Sequence, residues 1–244
     1  MKATAFSLLI MFSLMVSTWA ISSEVNNMEK NDALNQRQQD IIPIAAFTAA
    51  GEINRLKPAL GKGLDDGLTV NEIKEILVHL YAYAGFPRSL NALSAFMAVM
   101  NERKAEGIDD AVGKVAGPVP APFDRDAYGA KVRARLAGRE TDISNADWQQ
   151  FSPVIDTFLK EHLFADIFVR DVISYQDREL VTIGALANMT GTEGQLKFHL
   201  GAAMNTGLTE AQMKDFISVL QARVGNAQAE SAQKILTEVL DNRK

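Results

Sequence analysis

Residues 193–224 read EGQLKFHLGAAMNTGLTEAQMKDFISVLQARV. Two helices joined at Gly207 are expected here, the second capped by Thr209. The same pattern occurs 140 positions earlier, in GEINRLKPALGKGLDDGLTVNEIKEILVHLYAYA over Gly51–Ala84. Leu56, Leu60 and Gly61 fall on Leu196, Leu200 and Gly201. The triplet Gly67-Leu68-Thr69 falls on Gly207-Leu208-Thr209, and Gly85 falls on Gly225. Upstream the offset is 139, with Leu34 on Ile173, Asp40 on Glu179 and Ile41 on Leu180, so one residue was gained or lost near position 50. A correspondence this regular makes the chain a duplication of one helical unit.

The 244 residues are 47% hydrophobic, enough for one large domain or two closely packed repeats. A net charge of −5 and the lack of any Lys/Arg-rich run argue against a nucleic-acid partner. There is no cysteine, which removes disulfides, thiolate metal sites and thiol redox chemistry. The first 20 residues read as a secretory leader: Lys2 precedes an apolar run from Ala5 to Val16, and Thr18 and Ala20 are the small residues before the cut. The alternative is an uncleaved membrane anchor, for which the apolar run is short. Cleavage removes Lys2 and takes the net charge from −5 to −6. The mature chain is expected to be periplasmic or secreted, with no membrane partner.

A polar lead-in spans 21–33 and a first helical repeat spans 34–106. In the repeat, helices are expected from Leu34 past Thr48, over Glu52–Leu64, from the Thr69–Glu72 capping box to Gly85-Phe86-Pro87, and over Arg88–Glu106. The last is expected to turn Leu90, Leu93, Phe96, Met97 and Met100 inward. Residues 107–124, rich in proline and glycine, form a linker. Connecting helices fill 125–173, one over Asp126–Ala137 and one over Ser152–Phe168. The second repeat occupies 174–244, with helices over Arg178–Met189, Glu193–Asn205, Thr209–Val224 and Ala227–Leu240. No stretch alternates as a strand would. The expected fold class is all-α.

The stretches NEIKEILVHLYAYAGFPRSLNAL, FLKEHLFADIF and RELVTIGALANMTGTEGQLKFHLGAAMNTGLT resemble the carboxymuconolactone decarboxylase family, which has the alkylhydroperoxidase-like fold. The resemblance covers most of residues 34–240, once per half. It implies an all-α bundle that assembles as a trimer or hexamer. The family also includes cysteine-dependent peroxide reductases; here Thr192 and Gln195 occupy the region of that cysteine pair. Peroxide reduction is therefore not expected.

His199 stands eight residues before Gly207, where the resemblance implies the family's helix histidine. Glu193 begins the same helix and is its candidate partner, although six residues of helix do not place the two on one face. The alternative is a packed core histidine. His79 and Tyr83 are one turn apart and share a face. The second repeat has Val219 and Arg223 at those places, while the first has Ala59 where the second has His199. The polar sets are complementary, which predicts either a composite site or one degenerate site per half. The plainer reading makes Tyr83 interfacial and His79 a solvated helix residue. Arg88, after Pro87, is a candidate anchor for a substrate carboxylate, or else a surface or subunit-contact arginine. Arg178 and Glu179 read as a packing ion pair, with a role in substrate binding as the alternative. Glu161, His162 and Asp166 are rejected as a metal set because adjacent helix residues diverge by ~100°. No phosphate loop, nucleophile elbow or zinc motif occurs, and no cofactor or metal is expected.

Two functions fit. One is a cofactor-free decarboxylase or lyase acting on a small carboxylated lactone or related organic acid. In it His199 handles the proton, with His79 and Glu193 as further catalytic candidates and Tyr83, Arg88 and Arg178 binding substrate. The other is an exported non-catalytic oligomeric helical scaffold or small-ligand binder.

Overall fold

The computed structural model describes residues 33–143 and 145–243. The leader over 1–20 and the lead-in before Ala33 lie outside the described residues. In chain order the helices are α1 (Gln36–Ala50), α2 (Ile53–Asp65), α3 (Val70–Ala105), α4 (Arg125–Leu136), α5 (Asp147–Phe151) and α6 (Pro153–Thr157). The last runs on into a π-helical stretch, Phe158–Ile167. Then come α7 (Tyr175–Leu186), α8 (Glu193–Asn205), α9 (Glu210–Val219), a π-helical turn (Leu220–Val224) and α10 (Asn226–Asp241). No strand occurs among the described residues.

The middle of the molecule is the pair α1 and α7. Every residue of α1 from Asp40 to Ala49 is buried, and so is every residue of α7 from Asp177 to Leu186. Apolar residues reach all sides of both helices, which places them in the core, and charged residues among them, such as Asp40, Arg178 and Glu179, are buried against partners. Each fully buried Ile or Leu stabilises by roughly 1.5–3 kcal/mol. Asn35 with Gln38 and Ser174 cap the two starts, so both helices begin at equivalent places. The duplication is visible in the elements. The 13 residues of α2 and the 13 of α8 correspond end to end at the offset read from the sequence, and α3 and α9 start behind equivalent threonine caps.

The helical run from Thr69 is broken where the sequence places the break: Gly85 takes φ 82°, ψ 159°, a non-helical conformation reserved for glycine, and divides α3 into two helical halves, the second running to Ala105. Several expectations need correction. Beyond Gly85, Ser89, Ala92, Phe96 and Val99 face inward, while Leu90 and Met97 are 57% and 63% exposed. This stretch is apolar on two faces. The small side chains Ser89 and Ala92 let it approach its neighbours closely, with Ser89 Oγ donating to Leu77 O at 2.7 Å. The expected helix over Ser152–Phe168 is α-helical only to Thr157, and α5 was not anticipated. Residues 108–124 have no regular secondary structure but are tied down. Val70 N–H and Asn71 N–H donate to Ala111 O and Val112 O at 3.0 and 2.9 Å.

The segment between the repeats supplies a second small core. Val132, Leu136, Phe164, Ile167 and Phe168 pack with Ala202 of α8, placing α4 and the π-helical stretch against the second repeat. Gly129 makes the approach possible, since a Cβ there would stand 1.8 Å from Lys160 O.

Candidate functional site

α7 and α8 pack side by side and bring a buried carboxylate to a buried imidazole. His199 Nδ1 lies 2.8 Å from Glu179 Oε2. The side chains are 7% and 0% exposed. A carboxylate only accepts, so Nδ1 carries the proton and donates. That leaves His199 Nε2 without a partner among the described residues, on a ring that lines a cavity of about 440 Å³. The size suits a small organic molecule. The cavity is walled by Trp148, Ile155 and Leu159 from the connecting segment and by Gln195 and Phe198 from α8.

Behind the histidine lies a polar layer contributed by both halves. Tyr83 of α3 stands edge-on to the His199 ring, centroids 5.5 Å apart, and His79 lies 5.2 Å from Tyr83. Thr182 Oγ1 donates to Arg178 O at 2.9 Å, so the 2.9 Å contact between His79 Nε2 and Thr182 Oγ1 must be donated by His79. His79 Nδ1 is then the acceptor facing Arg178 Nη1 at 3.3 Å. That tautomer is neutral. Burial first, then the charges of Arg178 and His199, hold the His79 pKa well below its ordinary value. Arg178, fully buried, donates to Glu75 Oε1 at 2.7 Å, and Glu75 also pairs with Arg170 at 2.8 Å. Tyr83 Oη and Glu179 Oε1 are buried without hydrogen bonds. Burial and the Glu179 carboxylate push the Tyr83 phenol far above its usual range, outweighing Thr182 and Arg178.

The structure thus brings His199, Tyr83 and His79 together and separates the other candidates from them. Glu193 is exposed at the start of α8, where its Oε1 accepts from Gly191 N–H at 3.4 Å. The carboxylate on His199 is Glu179, because a neighbouring helix reaches the ring and Glu193 points elsewhere on α8. Arg88 is exposed and lies over the turn between α1 and α2, against Gly51. Arg178 is locked to Glu75 inside the core rather than offered to a ligand. His79 is buried, not solvated. His162 Nδ1 meets Asp166 at 3.1 Å on an exposed face, and no metal-binding group of His, Asp or Glu occurs among the described residues. Sequence reasoning missed Glu179 as the partner of His199. The signal was there: a carboxylate directly before Leu180 and Val181, matched by Asp40 directly before Ile41 and Ile42 in the other repeat.

No described helix is long and apolar enough to cross a membrane. In comparisons with known proteins, the carboxymuconolactone decarboxylase family matches residues 21–98 and again 153–238. The 4-carboxymuconolactone decarboxylase of Acinetobacter baylyi is 26% identical over 116 residues, covering 47% of this chain and 86% of that protein. One copy of that relative therefore corresponds to about half of this chain.

Proposed function

The chain belongs to the carboxymuconolactone decarboxylase family, and on that premise we propose that it is a cofactor-free decarboxylase or lyase for a small carboxylated lactone or related organic acid. The observation that carries the reading is the His199–Glu179 pair, buried at one end of a cavity with Nε2 left over. In such a decarboxylation the C–C bond to the leaving carboxylate breaks and its electron pair passes to the carbonyl. The enolate then takes a proton at carbon. A His199 imidazolium held through Nδ1–H by Glu179 delivers that proton from Nε2, and solvent replaces it. Histidine suits the task because its reference pKa is ~6.5. Tyr83 packs against the ring from behind, and His79 packs against Tyr83.

The exported location read from the leader is part of the proposal, and so is self-association. Phe86, Leu90 and Met97 form an exposed apolar stripe on α3 that supports burial against a second copy. A monomeric mass by light scattering at micromolar concentration would remove that part.

The test is carbon dioxide release from a panel of carboxylated lactones. His199→Gln is expected to keep the fold and lose about 10²–10⁴-fold in turnover, and His162→Gln to leave it unchanged. Equal turnover by wild type and His199→Gln would take the histidine out of the mechanism.

A further inference from the structure

α8 begins without a cap. Thr192, the residue before it, has φ −114° and ψ 21°, and its side chain makes no bond to the helix. Its Oγ1 faces Leu186 O and Met189 O instead, both at 3.0 Å. Glu193, the acid of the first turn, reaches back to Gly191 N–H. The first backbone bond of the helix runs from Leu196 N–H to Thr192 O at 2.9 Å. The N–H groups of Glu193, Gly194 and Gln195 are left without partners among the described residues. The equivalent start of α2 in the first repeat is closed: Ile53 N–H donates to Gly51 O and Arg55 N–H to Glu52 O, both at 3.0 Å.

Gly194 and Gln195 line the same cavity as His199. Helical side chains lean toward the N-terminus, so the His199 ring and the open N–H groups are turned to the same end of α8. The imidazole is 7% exposed, and its Nε2 has no partner among the described residues. Other donors in the wall are spent. Arg133 donates to Asp142 at 2.7 and 2.6 Å and pairs with Asp156. The Gln149 amide donates to Ile143 O at 2.7 Å and to Asp156 at 2.8 Å. Besides the open turn, the Gln195 side-chain amide and the indole N–H of Trp148, at the half-exposed rim, lack partners among the described residues.

An open helix N-terminus carries about half a positive charge and directs its N–H groups at whatever lies beyond it. We propose that the first turn of α8 is an anion seat: the Gly194 and Gln195 N–H groups hold a carboxylate of the ligand and set its body against His199, one turn along the helix. This rests on the reading of the site as that of an organic-acid lyase and adds where the acid is held. The nearby acids are engaged elsewhere, Glu193 with Gly191 and both Asp142 and Asp156 with Arg133, which leaves these N–H groups to the ligand.

Proline separates the backbone from the side chains, because a helix accepts it in the first turn, where the missing N–H has no helical partner to lose. The full chain is titrated calorimetrically with benzoate and with its uncharged analogue benzamide. Benzoate is expected to bind wild type about tenfold more tightly than benzamide. Gly194→Pro is expected to cut that preference to about threefold or less while leaving benzamide binding nearly unchanged. Gly194→Ala keeps the N–H and adds a Cβ where no atom lies within 4 Å, so it should keep the preference. A second measurement needs no folded variant: in wild type, benzoate should move the Gly194 and Gln195 amide proton resonances downfield. Equal binding of benzoate and benzamide would overturn the proposal, and so would amide resonances that benzoate leaves in place. A preference that survives in folded Gly194→Pro and is lost in Trp148→Phe would overturn it too, by moving the anion to the indole. The lyase reading fails separately. Benzoate held as described with no carbon dioxide from any lactone removes that reading and leaves the seat, whereas carbon dioxide release with the preference intact in Gly194→Pro does the opposite.

Discussion

Asp40 on α1 and Glu179 on α7 occupy equivalent places in the two repeats, and both are fully buried. Their surroundings have diverged. Glu179 holds His199, with Tyr83 from the other half beside the ring. At the first-half position His199 is replaced by Ala59 and Tyr83 by Arg223, and Arg223 pairs directly with Asp40. A guanidinium never gives up its proton at ordinary pH, so the first pair stores charge where the second can pass a proton. The cover differs too. The hollow by Asp40 is lined by α1, α2 and Arg223, and its Arg55 and Lys62 side chains are about half exposed. The hollow by Glu179 is roofed by the connecting segment. A duplication yields two equivalent places; one roof and two substitutions leave one of them suited to chemistry.

The comparison is broken most directly by matched amide variants. Glu179→Gln is expected to lower kcat by about 10²–10⁴-fold, because it loses the charge that fixes and stabilises the His199 imidazolium. Ligand affinity and the melting temperature should change little, which separates a positioning role from a structural one. Asp40→Asn is expected to leave kcat within about threefold and to cost about 1–3 kcal/mol in urea unfolding. Arg223 reaches solvent, which keeps that cost below the value for a fully enclosed pair. The reverse pattern would mean that the first half is the working one.

The roof is tested at Gly129. Its Cβ position is blocked by the backbone of Lys160, so neither neighbour can rotate away. Gly129→Ala is expected to destabilise by about 2–4 kcal/mol and to raise KM by loosening the cavity. Gly61→Ala is the control. It lies within α2 with no atom inside 4 Å of its Cβ position, and it should stabilise by about 0.5–1 kcal/mol. If Gly129→Ala cost no more than a surface change, the connecting segment would not be packed as described.

Much of this was legible in the sequence. The repeat, the threonine caps at 69 and 209, and the complementary distribution of His79, Tyr83 and His199 all follow from local patterns. Glu179 was not found as the histidine's partner because 20 residues and a turn separate them, and only the packing of α7 on α8 closes that distance. Leu90 and Met97 were turned inward because a helix with two apolar faces does not say which one its neighbours cover. The cavity wall was invisible for a third reason. At the offset of the upstream repeat, the equivalents of Trp148 and Ile155 fall before Ala33, outside the described residues, so no internal comparison points to them.

His79 marks the divergence at smaller scale, since its equivalent, Val219, has no proton to gain. The fold holds the His79 pKa below that of the unfolded chain, so between the two values the unfolded chain binds more protons. Stability therefore rises with pH through this window. The contribution is complete above about pH 6.5 and is lost below it, with a slope of at most about 1.4 kcal/mol per pH unit. Carboxylates with depressed values, such as Glu72 and Asp156, act further into acid. Chemical denaturation between pH 5 and 7 should show the slope in wild type, and His79→Gln should flatten it. An unchanged slope in the variant would place the titrating group elsewhere.

The smallest expected effect concerns Tyr83, whose equivalent is Arg223. Arg223 is spent on Asp40, whereas the Tyr83 hydroxyl is buried and makes no hydrogen bond. A buried, unsatisfied hydroxyl costs stability, and the ring supplies the packing against His199. Tyr83→Phe keeps the ring and removes the cost. Unfolding free energy should stay level or rise by up to about 1 kcal/mol, with kcat within a few-fold of wild type. Tyr83→Leu removes the ring edge, frees the imidazole to turn, and should lower kcat more than Tyr83→Phe while leaving KM nearly constant. A loss of more than about 1 kcal/mol in Tyr83→Phe would mean that the phenol is hydrogen-bonded after all. The second half would then spend its residue at this place on structure, as the first half spends Arg223, and the difference between the halves would rest on His199 alone.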